Sequence, residues 1–546
     1  MSVERRAVER VRGTQDLWPR EARPLDAVRR HLEATFESFG YRRIDVPLVE
    51  PAELHLRKSG LEIISKLYAF TDQAGRQLCL RPELTASVAR AYVAQPAPRL
   101  PLKVFSTGPV FRYERPARGR YRQFTHSGVE LIGAQGPLAD AEVVLLAMHA
   151  LDAAGLRDYT VTLGHVGVLA SWLAALGLSG RLRTFLLDSV EEARRRGVDA
   201  VRSRLQELDP ELFESDGAAG APGGARGAAA ADAADASTAA HAPVALDDDQ
   251  AGAAVLGLLA AIGAESLGRR DKAEVATRML RKLQPDSSRQ AVERALEFVD
   301  RLGAARGTPE DALRAGRDLL RSCGLADEPL RDLEATVDVL GAGGASLARV
   351  RLDLGLSRGL QYYTGMVFEI DHAGLGGESQ LCGGGRYDDL IRALGGRQPV
   401  PALGFAFGVE RVRLALDLEG RPLEPDSRAE AFVVAAAPAH VSHALRAAGA
   451  LRAAGVRTHL EVAQRPLRAS LDYANREGFR YVAVVGEAEA RAGTLRLRDM
   501  DTGIERALPL AAVQRPIHNR ETQIANPLAA ALAGPAGAAD GARCGG

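Results

Sequence analysis

The most informative part of the chain is Phe111–Gly133, with the sequence FRYERPARGRYRQFTHSGVELIG. Its first half holds five arginines within eleven residues: Arg112, Arg115, Arg118, Arg120 and Arg122. A guanidinium group binds a phosphate through two parallel hydrogen bonds, so this density of arginine suits a polyanionic ligand. The flanking sequences KVFSTGPVFRYE and RQFTHSGVELIG have the composition of strands, which predicts a hairpin with a basic loop. For the loop considered in isolation, the alternative is a charged hairpin that only faces solvent.

Five further segments favour a ligand-binding role for this loop. They are RGTQDLWP (12–19), LRPELTASVAR (80–90), LDLGLSRGLQYYTGMVFEI (352–370), CGGGRYDDL (382–390) and ALGFAFGVERV (402–412). In this order they resemble the motifs of histidyl-tRNA synthetase, a class II aminoacyl-tRNA synthetase family. The resemblance extends over nearly the whole chain. A single Gly-rich run is weak evidence, whereas ordered motifs are specific.

The bulk composition is that of a globular protein with local rather than global charge. The chain has 546 residues, enough for two or three domains, and its 70 Lys and Arg residues balance 70 Asp and Glu residues. A nucleic-acid partner must therefore be held by local basic patches. The four cysteines form no CxxC pair, so no zinc site or disulfide framework is predicted, and a cytoplasmic location is expected. The N-terminus lacks the apolar core of a signal peptide, and no apolar run is long enough to span a bilayer.

The resemblance implies an α+β fold. It consists of an antiparallel class II catalytic sheet with a helical insertion, followed by a C-terminal α/β anticodon-binding domain. The expected parts are catalytic core (1–159), helical insertion (160–346) with a disordered loop at about 215–249, catalytic core (347–418), linker (419–429), anticodon-binding domain (430–515) and low-complexity tail (516–546). The loop at 215–249 is poor in bulky apolar side chains. Burial of apolar surface therefore cannot offset the conformational entropy that the loop would lose on ordering.

A helix and a strand near the N-terminus carry the expected subunit contact. Residues 25–39 have the apolar spacing of an amphipathic helix, and GYRRIDVPLVEP (40–51) follows as a predicted strand that contains Pro47. Proline belongs at the edge or end of a strand. In the class II family such a unit builds the dimer interface, so the resemblance implies a homodimer. A plain edge strand is the alternative.

The implied reaction joins L-histidine to ATP as histidyl-adenylate and then transfers the histidyl group to the 3′ end of tRNA(His). By resemblance, Arg112 contacts the α-phosphate and the substrate carboxylate, and Arg411 contacts the γ-phosphate. Arg358 matches an arginine that this family places on the α-phosphate. Arg112 and Arg358 are therefore the predicted catalytic residues. No ligand motif for a metal stands out, so Mg²⁺ is expected to accompany the nucleotide.

The remaining predicted site residues also follow from the resemblance. The residues expected to bind ATP, besides Arg112 and Arg411, are Glu114, Arg120, Tyr121 and Phe124. Those expected to bind histidine, besides Arg112 and Arg358, are Glu83, Thr85, His126, Glu130, Tyr362 and Tyr363. Core packing is the alternative for the two tyrosines, and a surface ion pair is the alternative for Glu114.

Four positions depart from what is common in the family. His126 stands where many bacterial members have Gln, Gln361 replaces an Asp, Ala117 replaces a Gln, and Leu84 replaces a Gly. The phosphate-binding arginines are intact.

The C-terminal domain offers four candidate contacts to the tRNA backbone, each of which has a solvated helix face as its alternative: Arg465, Arg468, Arg476 and Arg480. The competing function is a non-catalytic, histidine-sensing regulatory subunit of ATP phosphoribosyltransferase. Such a subunit keeps the catalytic fold but lacks the anticodon-binding domain.

Overall fold

A computed structural model describes residues 8–57, 65–96, 99–210, 212, 289–356, 362–423 and 430–513. The chain divides into two compact units, residues 1–425 and residues 426–546. The predicted disordered loop at 215–249, the tail at 516–546 and residues 424–429 of the predicted linker lie outside the described residues. None of the helices in the described ranges is long and apolar enough to cross a membrane.

The first unit contains a large mixed sheet and a small second sheet. Its strands are β1 (Arg42–Arg43), β2 (Val49–Pro51), β3 (Tyr68–Thr71), β4 (Gln77–Leu80), β5 (Leu102–Phe111), β6 (Gln123–Ile132), β7 (Thr160–His165), β8 (Arg306–Gly307), β9 (Val350–Asp353), β10 (Met366–Asp371), β11 (Gln380–Arg386) and β12 (Ala402–Gly408). Among the described residues, nine of them form one sheet in the order β1-β5-β6-β12-β11-β10-β7-β9-β8, and β2-β4-β3 form a small second sheet. The β1–β5 and β7–β9 pairs are parallel and the other pairs of the large sheet are antiparallel. The predicted antiparallel core is thus confirmed, with parallel additions near its edges.

Helices cover this sheet and form the insertion. They are α1 (Pro19–Ser38), α2 (Ala52–Leu56), α3 (Thr85–Val93), α4 (Pro137–Ala153), α5 (Val166–Ala175), α6 (Gly180–Arg196), α7 (Val198–Leu208), α8 (Arg289–Ala304), α9 (Pro309–Ser322), α10 (Glu328–Ala342), α11 (Leu390–Ala393) and α12 (Val409–Leu418). The apolar face of α1 meets the sheet through Phe36, whose ring lies 5.7 Å from that of Phe105 and 6.0 Å from that of Phe405. Helix α4 is apolar on nearly all sides and is correspondingly buried.

Two sequence expectations in this unit need correction. The segment 40–51 is not one strand, because β1 and β2 are separated and Pro47 lies between them. Proline cannot donate to a ladder, and the carbonyl oxygens of Val46 and Pro47 instead accept hydrogen bonds from the buried guanidinium of Arg81. The helical region was predicted to begin at residue 160. Residues Thr160–His165 instead form β7, which pairs with β10 inside the large sheet, and the first helix of the region begins at Val166.

The second unit is a separate α/β layer structure. Its strands are β13 (Glu430–Ala435), β14 (Arg457–Leu460), β15 (Tyr481–Val485), β16 (Thr494–Asp499) and β17 (Glu505–Pro509), and its helices are α13 (Val441–Ala453), α14 (Leu467–Arg476), α15 (Glu487–Ala492) and α16 (Leu510–Val513). The sheet order is β14-β13-β15-β16-β17, with parallel pairing on one side of β15 and antiparallel pairing on the other. Val433 and Phe432 belong to different apolar clusters, as expected for a strand that is covered on both faces. The predicted C-terminal α/β domain is confirmed, and its sheet is mixed.

Candidate active site

A cavity of about 700 Å³ lies in the first unit and gathers most of the predicted site residues. The predicted residues that line it are Glu83, Thr85, Arg112, Glu114, Arg120, Tyr121, Phe124, His126, Tyr362, Tyr363 and Arg411. Glu130 is buried rather than lining the cavity, and Arg358 lies outside the described residues. The cavity therefore brings together segments that lie far apart in the chain.

The basic stretch forms the predicted hairpin at the edge of this cavity. Strands β5 and β6 pair from Leu102 and Ile132 to Phe111 and Gln123. Just beyond, the Arg112 N–H donates a 2.9 Å hydrogen bond to the carbonyl oxygen of Arg122, which extends the ladder into the loop. The Arg112 Nε donates to the Pro82 carbonyl at 3.0 Å, and this bond orients the guanidinium.

Glu114 lies between two cations that share its cavity. Lys66 Nζ is 3.0 Å from Glu114 Oε1, and Arg120 Nε is 3.1 Å from Glu114 Oε2. Burial raises the pKa of Glu114, but Lys66 and then Arg112 and Arg120 outweigh it and lower the pKa below its usual value. The carboxylate is therefore ionised at neutral pH. An isolated lysine carries no sequence signal, so the position of Lys66 could not have been inferred from the chain alone.

Glu83 is anchored at the start of helix α3. Its Oε2 accepts the Thr85 N–H at 2.5 Å and its Oε1 accepts the Ala86 N–H at 2.9 Å, as is favourable for an acid at a helix N-terminus. Burial raises the pKa of Glu83, while these two N–H groups and the charge of Arg112 oppose the increase. A carboxylate held in this way is suited to an incoming ammonium group.

Glu130 is buried, and its side chain accepts a hydrogen bond from the Tyr387 hydroxyl. Burial raises the pKa of Glu130 to about 8, although hydrogen bonds from Thr85 and Tyr387 oppose this and the nearby charge of Glu83 adds to it. A Cβ on Gly404 of β12 would collide with both the Glu130 carboxylate and the Val129 carbonyl oxygen. The glycine of the ALGFAFG motif thus gives Glu130 its space.

The two tyrosines pack together beside the Gly-rich strand β11. The rings of Tyr362 and Tyr363 are 4.9 Å apart, and Tyr362 also lies 5.6 Å from the ring of Tyr387. A Cβ on Gly385 would come within 2.9 Å of the Tyr363 ring, so this glycine permits close approach. Tyr362 is buried in an apolar cluster and also lines the cavity, so the packing and binding interpretations both apply to it.

Helix α12 brings Arg411 to the same cavity. Its Nε donates to the Gly119 carbonyl at 3.0 Å and its Nη1 donates to the Gln380 carbonyl at 2.9 Å. Both oxygens of the preceding Glu410 accept the Thr125 N–H, at 2.8 and 3.0 Å. The last motif is therefore fastened to the arginine-rich hairpin by two neighbouring residues.

Several residues that line the cavity were not anticipated from the sequence. They are Lys66, Arg194, Arg195, Arg306, Glu369, Asp371, Ser379, Gln380, Cys382 and Glu410. Arg194 lies in the last turn of helix α6 in the insertion and forms a 3.0 Å ion pair with the buried Asp353 of β9. Arginines are common in the last turn of a helix because they interact favourably with its dipole. The run Arg194–Arg196 therefore did not indicate a binding site in the sequence.

In the second unit, two of the four candidate tRNA contacts have intramolecular partners. Arg465 pairs with Glu461 at 2.7 Å and lies 4.1 Å from the ring of Tyr473. Arg480 is 3.8 Å from Asp499. The other two, Arg468 and Arg476, are exposed on helix α14. All four assignments stay predictions.

Comparison with known proteins identifies the family. The sequence model described as histidyl-tRNA synthetase matches residues 13–251 and 254–412. The chain belongs to the histidyl-tRNA synthetase family. A second model, described as anticodon binding domain, matches residues 430–519.

Individual relatives agree with this family assignment. The histidine–tRNA ligase of Pyrococcus horikoshii is 32% identical over 498 residues, which cover 91% of this chain and 95% of the relative. That of Moorella thermoacetica is 32% identical over 512 residues, which cover 92% and 96%.

Two solved structures share the fold. Apo histidyl-tRNA synthetase of S. aureus has a TM-score of 0.55 and 24% identity, with 93% of this chain and 99% of that one covered. A Bacillus halodurans protein, described as an ATP phosphoribosyltransferase regulatory subunit/histidyl-tRNA synthetase, has a TM-score of 0.56 and 21% identity, with 88% and 97% covered.

Proposed function

We propose that the chain is a histidine–tRNA ligase, which activates L-histidine with ATP and transfers the histidyl group to the 3′ end of tRNA(His). The observation that carries this proposal is the single cavity in which Arg112 and Arg411 lie beside Glu83 and the tyrosine pair. Cations for a triphosphate and a carboxylate for an ammonium group are the complementary charges that the two substrates require. The match of residues 430–519 to an anticodon-binding domain supports a ligase over a regulatory subunit.

In the first step the histidine carboxylate attacks the α-phosphorus of ATP, and pyrophosphate leaves. Both reactants are anionic, and negative charge spreads over the phosphoryl oxygens in the in-line transition state. Arg112 would neutralise the α-phosphate and orient the attacking carboxylate, together with the predicted Arg358. Arg411 would hold the γ-phosphate. Because backbone carbonyls hold the guanidinium groups of Arg112 and Arg411, these two need little reorganisation during the reaction.

Recognition of the amino acid uses the opposite charge. Glu83 and Thr85 would receive the α-ammonium group, with His126 beside them, while Tyr362 and Tyr363 would line the imidazole pocket. Glu130 would act indirectly, through its hydrogen bond with Tyr387, whose ring packs against Tyr362. A pocket that pairs with both imidazole nitrogens rejects analogues that lack them by roughly 10⁴-fold, because its own polar groups would be left unpaired.

The nucleotide would be held by Glu114, Arg120, Tyr121 and Phe124, and Mg²⁺ would accompany its phosphates. Mg²⁺ that accompanies a nucleotide is usually held by its phosphate oxygens and one or two carboxylates. Glu369 and Asp371 line the cavity and offer carboxylate oxygens to such an ion. When bound, Mg²⁺ would neutralise charge on the triphosphate.

The remaining parts of the proposal concern partners and location. The tRNA would contact the second unit through Arg465, Arg468, Arg476 or Arg480. A homodimer through the segment around Pro47 and a cytoplasmic location are proposed from family resemblance. Each is open to direct measurement, by sedimentation for the dimer and by cell fractionation for the location.

The decisive experiment is histidine-dependent exchange of pyrophosphate into ATP, with the wild type beside Arg112→Ala and Arg358→Ala. We expect exchange that requires histidine and falls by roughly 10²-fold or more in each variant. Arg413→Ala is the control for loss of an arginine, because Arg413 does not line the cavity and pairs with Asp417 at 3.4 Å. Tight histidine binding without exchange would favour the regulatory subunit, and charging of tRNA(His) would complete the case for the ligase.

A further inference from the structure

His55 is a buried histidine without an obvious structural partner. It lies on helix α2, and its side chain is 0% exposed. Among the described residues, neither of its ring nitrogens has a protein hydrogen-bond partner. Burying an unpaired polar group costs free energy, and a phenylalanine of similar shape would pack here without that cost. The presence of an imidazole at this position therefore calls for an explanation.

A polar group beside the ring belongs to the candidate active site. His55 Nδ1 is 3.8 Å from Oε1 of Glu83, the carboxylate anchored at the start of helix α3. Burial lowers the pKa of His55 to about 4, so the imidazole is neutral at physiological pH. A neutral imidazole carries one N–H donor and one acceptor, and a proton on Nδ1 would face the carboxylate.

We propose that His55 is a positioning residue, which holds the Glu83 carboxylate in place for the α-ammonium group of the amino-acid substrate. The inference rests on the proposed function, in which Glu83 receives that group. A shift that closes the 3.8 Å separation to about 3 Å would form an Nδ1–H···Oε1 hydrogen bond. His55 does not line the cavity, so it acts through Glu83 and does not touch the substrate.

The pattern of hydrogen bonds at Glu83 explains what this contact would add. Oε1 already accepts the Ala86 N–H and Oε2 accepts the Thr85 N–H, both from the same helix terminus. His55 belongs to a different helix and would brace Oε1 from the other side, which leaves lone pairs on Oε2 for the ammonium group. Groups that orient a binding carboxylate improve affinity by cutting the cost of ordering it.

Calorimetric titration of three ligands tests this role. L-Histidine and L-histidinol carry the ammonium group, and 3-(imidazol-4-yl)propionate lacks it. We expect His55→Phe to weaken binding of the first two ligands by about tenfold or more, since a hydrogen bond to a charged group is lost, and to leave the third within about twofold. His55→Asn keeps an N–H donor near the position of Nδ1 and should restore most of the affinity.

A matched control is His31→Phe, which removes another histidine with an unpartnered buried ring nitrogen, on helix α1. It should change none of the three affinities. Should the phenylalanine variant not fold, His55→Leu makes the same comparison. Equal weakening of all three ligands, or no weakening in either apolar variant, would overturn the positioning role. A wild-type protein that binds no histidine and catalyses no exchange would instead overturn the proposed function itself.

Discussion

Arg411 and Gly119 are 292 residues apart in sequence, and the Arg411 Nε donates a 3.0 Å hydrogen bond to the Gly119 carbonyl. Gly119 has a φ of +75°, a conformation that glycine adopts readily, and it turns the arginine-rich loop so that this carbonyl faces helix α12. The last motif and the basic hairpin therefore position each other. Loss of either end of this bond should disturb both segments of the proposed phosphate site.

The first prediction concerns Arg411→Lys, which keeps the positive charge but loses the Nε donor and the planar fork. We expect the KM for ATP to rise about tenfold and pyrophosphate exchange to fall by roughly 10²-fold, because one preorganised phosphate contact is lost. Initial rates over a range of ATP concentrations give both values. Arg413→Lys on the same helix is the control, and an unchanged KM in Arg411→Lys would exclude this role for the Arg411 fork.

A second prediction concerns Lys66, whose ammonium group is 3.0 Å from Glu114. Lys66→Met should raise the KM for ATP by a few fold, since a partly exposed ion pair contributes about 1 kcal/mol or less and Arg120 remains as a partner. Lys103→Met removes a lysine that pairs with Glu142 and does not line the cavity, so it serves as the control. Equal effects of the two substitutions would show that Lys66 has no specific role at the nucleotide.

Local sequence patterns predicted those parts of the fold that depend on neighbouring residues. The β5–β6 hairpin follows from two apolar strands around a basic loop. The apolar spacing of residues 25–39 likewise predicts a helix, and helix α1 covers this segment up to Ser38. The α/β domain expected after residue 430 is also present, as a five-stranded sheet with helices.

Features that depend on tertiary packing were missed or misplaced. Lys66 and Arg194 reach the cavity only because distant elements fold next to it, and neither has a sequence pattern that marks it. β7 is a short strand ahead of a long helical region, and only its pairing with β10 reveals that it belongs to the sheet. At the break around Pro47, the distant Arg81 donates hydrogen bonds to the carbonyl oxygens of Val46 and Pro47, a contact that no local pattern marks.

The third prediction follows from the raised pKa of Glu130, which is about 8 in the folded protein against a usual value of 4.5. Between these two values the folded state keeps a proton that the unfolded state has lost, so the free energy of unfolding decreases as pH rises. Glu130→Gln lacks this titration. Relative to the variant, the wild type should lose a few kcal/mol of stability between about pH 4.5 and 8.

Denaturant midpoints measured from pH 5 to 8.5 check this prediction. Glu142→Gln, at a partly exposed carboxylate paired with Lys103, controls for the removal of a negative charge. Parallel pH profiles for the wild type and Glu130→Gln would contradict the prediction, because they would mean that Glu130 titrates alike in both states.

The last prediction concerns the second unit, where Arg468 and Arg476 are exposed on helix α14. Reversing both charges, in Arg468→Glu with Arg476→Glu, should raise the KM for tRNA(His) several-fold and leave histidine-dependent exchange unchanged. If both residues contact phosphates, the salt dependence of tRNA binding should also become shallower, by roughly one in slope for each lost contact. Arg491→Glu changes an exposed arginine on helix α15 that pairs with Glu487, and it is the matched control.

Arg465 should behave differently from these two, because it pairs with the largely buried carboxylate of Glu461 and stacks on Tyr473. Arg465→Glu would place two carboxylates together and should lower the thermal stability of the protein, whether or not tRNA is bound. Charging assays and thermal unfolding, run on both sets of variants, separate the two effects. A stable Arg465→Glu protein, or a drop in exchange in the double variant, would contradict this division between binding and structural arginines.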